Sequence, residues 1–141
     1  MKKIITLLAV AELFFFSAEN ASAQATNQLN IGLIGVSYEV PVTSDITLAP
    51  FAGTNLNISY FTLGVKANYY FDNLLDLPEE FDIYGGANAG YGLGFNNNAN
   101  DFDIGLQIGF RWFWSEKMGL YLEGGGGKLG GTAGLGITIR M

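Results

Sequence analysis

The chain has no cysteine and no histidine, and only 3 of its 141 residues are proline. Without cysteine there is no disulfide framework and no anchoring through a lipidated N-terminal cysteine. Without histidine, triads and metal centres that need imidazole are excluded, and no cofactor or metal is expected. Positive charge is also scarce: 7 Lys and Arg stand against 13 Asp and Glu, a net charge of −6 that suits no nucleic-acid partner. Beyond the N-terminus no apolar run is long enough for a membrane helix, and no helical layer is visible.

The first residues, MKKIITLLAVAELFFFSAENASAQA, are built like an export signal. Lys2 and Lys3 precede an apolar run from Ile4, and small residues stand at Ala21 and Ala23 before Gln24. Cleavage is expected after Ala23, with Ala25 as the second position, giving a signal peptide at 1–23 and one domain at 24–141. Glu12 and Glu19 are unusual in such a segment, and a stable N-terminal helix is the alternative.

What the rest of the chain has is strict alternation. In FDIGLQIGFRWFW, residues 102–114, one parity is Phe102, Ile104, Leu106, Ile108, Phe110, Trp112 and Trp114. The other is Asp103, Gly105, Gln107, Gly109, Arg111 and Phe113. Successive side chains of a strand point to opposite faces, so this is a two-faced strand. The pattern returns in FTLGVKANYYF (61–71), FDIYGGANAGYGLGF (81–95), GLYLEGGG (119–126) and TAGLGITIRM (132–141). In LNIGLIGVSYEVPV (29–42) the apolar parity slips by one residue, which a bulge at Leu33 and Ile34 would absorb. DITLAPFAGTN (45–55) is the least regular strand, because Pro50 has no N–H for a ladder and suits an edge or a bulge. Short turn-forming connections favour an up-and-down meander. Seven strands are readable, whereas single-chain outer-membrane barrels have even numbers. An eighth is expected within residues 24–49, where two strands fit only if short.

The faces are sorted by chemistry as well as by polarity. Phe61, Phe95 and Phe102 lie at one end of the apolar face and Tyr69, Phe71, Phe81, Trp112 and Trp114 at the other, with Leu, Ile, Val and Ala between. A bilayer selects this order, since aromatic rings settle at the headgroups and aliphatic side chains suit the middle. The opposite face carries Lys66, Arg111 and Arg140 with Asp82, Asp103 and Glu123. Six charges in a narrow lumen are expected to pair, and inward glycines leave room for them.

Together these segments resemble the outer-membrane β-barrel domain family, the small porin-like barrels of the OmpX and Ail type. The likeness runs over residues 24–141 and rests on alternation with aromatic ends. It implies an antiparallel transmembrane barrel in the cell outer membrane, placed there by the barrel assembly machinery. The family closes its last strand with an aromatic residue, where this chain has Met141.

Other chemistry is weaker. GGGGKLGGT has the glycines of a phosphate loop, but such a loop needs a helix after it, and TAGLGITIR reads as a strand. Asp72, Asp76, Glu79, Glu80 and Asp82 lack the ligand order of a calcium loop and read as a hydrated turn. Trp112 and Trp114 could stack on sugars, but their place in a band suits anchoring.

The expectation is a non-enzymatic, all-β barrel in outer-membrane lipid, its lumen plugged by side chains, with a structural or adhesion-like surface role. The alternatives are an outer-membrane lipid-modifying enzyme and an exported soluble barrel of lipocalin type, which would turn its apolar parity inward.

Overall fold

A computed structural model describes residues 26–141; the expected signal peptide and both cleavage positions lie outside the described residues. Eight antiparallel strands close into a barrel in sequence order. They are β1 (Gln28–Gly32), β2 (Gly35–Pro41), β3 (Ile46–Thr54), β4 (Tyr60–Tyr70), β5 (Phe81–Gly94), β6 (Asp101–Phe113), β7 (Met118–Gly127) and β8 (Gly130–Arg140). A single-turn helix, α1 (Asp72–Leu75), lies between β4 and β5. Pairing of β1 with β8, from Gln28 opposite Arg140 to Gly32 opposite Gly136, completes the cylinder.

The parity slip near Leu33 is a hairpin and not a bulge. Ile31 faces Val36 across the pair, so Leu33 and Ile34 are its two-residue tip. A bulge and a two-residue hairpin both shift parity by one, and only the return of the chain distinguishes them. The eighth strand therefore comes from splitting 29–42, and with five and seven residues the pair fits the space available. Pro50 also departs from expectation, because a closed barrel has no edge. It sits inside β3 opposite Val65 of β4, while the β2–β3 ladder breaks off between Ser37 opposite Phe51 and Val40 opposite Leu48. The gap falls where proline has no N–H to give.

With the β2–β3 register carried across its gap, so that Glu39 falls opposite Ala49, opposed residues can be followed around the wall from Gln28 through Glu39, Ala49, Lys66, Asn88, Gly105 and Gly127 to Gly130. That path ends on β8 ten residues before Arg140, the residue that actually faces Gln28. Such a stagger goes with strands tilted by roughly 35–45°, and eight strands leave an interior just wide enough for side chains.

Both ends of the strand array lie at one rim, with connections 42–45, 71–80 and 114–117. The other rim carries 33–34, 55–59, 95–100 and 128–129. The glycine-rich segment once compared with a phosphate loop is the β7–β8 hairpin, with Lys128 and Leu129 at its tip.

The apolar parity faces out. Ile104 is 72% exposed and Leu106 70%, while Arg111 on the other parity is fully buried. Among the described residues the buried apolar set is Val40, Ala49, Tyr70, Tyr84, Phe113 and Tyr121, with no leucine, isoleucine or methionine in it. The lipocalin-like arrangement needs the reverse and is not the one adopted.

Candidate functional site

The lumen is built from the inward parity of all eight strands, and Arg111 of β6 is its hub. Its guanidinium forms an ion pair with Glu39 of β2 and donates to the Tyr70 hydroxyl, which in turn donates to the same carboxylate. Thr47 Oγ1 at 2.8 Å and Asn30 Nδ2 at 3.1 Å donate the remaining hydrogen bonds to Glu39. The Tyr84 ring centroid lies 4.2 Å from the guanidinium carbon, a cation–π contact between two fully buried side chains. A buried charge survives only when paired and hydrogen-bonded, and Glu39 meets both conditions.

Two further groups extend from this hub. Toward the rim that holds the termini, Asp82 Oδ2 lies 3.8 Å from Arg111 and its Oδ1 3.4 Å from Arg140. The Arg140 guanidinium sits 3.5 Å above the Phe113 ring, closing that end, and also donates to the Glu79 carbonyl at 3.0 Å. Toward the other rim, Lys66 pairs with Glu123, whose second oxygen accepts the Tyr84 hydroxyl at 2.8 Å. An amide chain crosses between them: Asn88 donates to Gln107 at 2.7 Å, and Gln107 donates to Asn68 at 2.7 Å.

Five of the six expected lumen charges, Lys66, Asp82, Arg111, Glu123 and Arg140, thus make ion pairs inside the barrel. Asp103 does not join them. It faces inward near the rim away from the termini, where Oδ1 accepts the Leu129 N–H at 3.0 Å and closes the β7–β8 turn. Glu39, the main partner of Arg111, is absent from the sequence-derived set, although its inward parity follows once β2 is recognised as a strand. The inward glycines act as seats for rings: Gly109 stands opposite Tyr84, and a Cβ added there would strike that ring.

Outside, the sorted aromatics form contacts along β4, β5 and β6. Tyr69 and Phe71 meet edge-on with centroids 5.0 Å apart, Phe81 stacks on Phe110 at 5.8 Å, and Trp112 lies 6.4 Å from Trp114. At the opposite end Phe102 meets Tyr91 edge-on at 5.3 Å, Phe61 stands opposite Leu93, and Phe95 follows just past the end of β5. The bands also include Phe110 and Tyr91, and they belong to this side of the barrel; the outer faces of β7, β8 and β1 carry no aromatic residue.

In the acidic turn, Asp72 is buried and accepts the Ile83 N–H at 2.8 Å. Burial pushes its carboxyl above the usual range, against the pull of that hydrogen bond, of a hydrogen bond with Asp82 and of Arg111 and Arg140. Asp82 points into the lumen toward Arg111 and Arg140, while Asp72 is turned to the Ile83 N–H.

Comparison with known protein families, with curated proteins and with solved structures finds no match to this chain.

Proposed function

We propose that the protein is a small outer-membrane β-barrel with a structural or surface-interaction role and no catalytic activity. One observation carries the reading: the parity bearing leucine, isoleucine and tryptophan lies on the outer surface, and the charges lie within. In water that surface would be an aggregation liability of a kind soluble monomers rarely carry, whereas hydrocarbon accepts it. Closure supports the same reading, since an open sheet edge in lipid would leave unpaired backbone groups. The signal-like N-terminus and passage through the barrel assembly machinery belong to this proposal.

The Arg111 cluster and the Phe113–Arg140 stack occupy the part of the lumen nearer the rim that holds the termini, which argues against a wide pore. Connections at the rim away from the termini are short, from two residues at 33–34 to six at 95–100, which favours a structural role over elaborate recognition. Cell fractionation with vesicle flotation of the purified chain tests the reading. The protein should be recovered only with detergent and should float with lipid; recovery in the soluble periplasmic fraction defeats it.

A further inference from the structure

The barrel wall is not equally tall all round. β1 and β2 meet at Leu33 and Ile34, while β8 continues beyond them to Gly130 and β3 to Thr54. On its β1 side, β8 is paired as far as Gly136, and one more bond runs from the Leu33 N–H to the Leu135 carbonyl at 3.1 Å. The next bond on that side comes from the Leu56 N–H, in the β3–β4 connection, to the Gly131 carbonyl at 3.1 Å. Residues of an antiparallel strand address their two neighbours alternately. Ala133, between Leu135 and Gly131 in this alternation, therefore points its N–H and C=O to a side where β1 has ended. The hairpin tip below, β3 opposite and the Leu56–Gly131 bond above frame a window in the wall.

A cavity of about 80 Å³ lies behind the window. Lumen-facing Lys66, Asp103, Tyr121 and Glu123 line it, and so do Val36 and Ala133 of the outward parity, so the space runs from the lumen into the wall. Ala133 lies three residues along β8 from its start at Gly130, and Leu135 and Ile137 continue the outward apolar parity from it. The outer surface beside the window is bare: a Cβ added at Gly124 would meet nothing within 4 Å.

The charge around this cavity is unbalanced. Lys66 is held by Glu123, and among the described residues Asp103, only 8% exposed, has no basic side chain within ion-pair distance. A buried carboxylate without a countercharge is unfavourable, as is backbone that faces hydrocarbon without a partner. A cationic head that donates hydrogen bonds answers the carboxylate and the Ala133 carbonyl, and Tyr121 lines the same cavity. The cavity has room for a head alone, while the glycine-lined outer surface leaves space for a chain.

We propose that the window seats an amphiphile with an ammonium head, the head beside Asp103 and the hydrocarbon chain left in the lipid. This rests on the membrane reading above. The probes are the decylammonium ion and, as its anionic counterpart, decyl sulfate, titrated into the full barrel in lipid nanodiscs while the backbone amides of residues 131–134 are followed by NMR. Decylammonium should shift these amides saturably, and decyl sulfate should not. Asp103→Asn, whose amide oxygen can still accept the Leu129 N–H, should bind about tenfold more weakly. Ala133→Trp, a change at an exposed position, should close the window and remove the response. Silent amides, an equal response to decyl sulfate, or unaltered binding by both variants would overturn the inference. A barrel that enters nanodiscs but stays silent defeats this inference alone, whereas one that will not associate with lipid defeats the membrane reading.

Discussion

Arg111 is enclosed by groups that need its charge. Replacing it with methionine leaves Glu39 and Asp82 buried near each other without their shared cation, a loss of about 3–5 kcal/mol. Urea unfolding of Arg111→Met should show it, and Glu39→Gln in the same chain should recover part of the loss, since the double change removes the stranded charge along with its partner. Asp72 behaves in the opposite sense. Its carboxyl is raised by burial in the folded state, so it weighs against folding once pH rises above the usual carboxylate range, and the penalty grows until the raised value is passed. Asp72→Asn should therefore match the parent near about pH 4 and exceed it in urea midpoint near about pH 8. Asparagine can still accept the Ile83 N–H, so the comparison keeps that bond.

Strands β4, β5 and β6 were legible because each sustains alternation over at least eleven residues, enough to fix period, facing and the order of the aromatic ends. The β1–β2 pair was obscured because a bulge and a two-residue hairpin leave the same one-residue slip in the pattern. Glu39 lies on the polar parity of 35–41 under either reading; what the pattern does not show is that this acid meets Arg111 across the barrel. Pairing inside the lumen was less legible still, since parity gives the face of a side chain but not its height. Asp103 and Arg111 share a face of β6 yet stand eight residues apart along it, too far to meet. Tyr70, Tyr84 and Tyr121 lie on the inward parity, but the period alone cannot say which charge each will touch across the barrel. Glycine and tyrosine do record one relation between strands. Gly109 faces Tyr84, and Gly109→Val should force that ring off Arg111 and cost about 1–3 kcal/mol in unfolding free energy, whereas an outward glycine such as Gly124 should accept valine with little change.

As a whole the molecule inverts the arrangement of a soluble domain, with ion pairs, tyrosines and amides at the centre and aliphatic side chains on the surface. Such a chain gains no core of leucine and isoleucine; its order comes from a closed hydrogen-bond ladder and an ion-paired interior, and on the proposed reading a surrounding apolar solvent makes that arrangement stable. The lack of cysteine makes the direct test clean, because every introduced thiol is unique. Nitroxide labels placed one at a time on cysteines at positions 102–108, in lipid vesicles, should report oxygen accessibility that peaks at Phe102, Ile104, Leu106 and Ile108 and falls at Asp103, Gly105 and Gln107. If a water-soluble nickel chelate reaches the even positions instead, that face stands in water and the protein is not a membrane barrel.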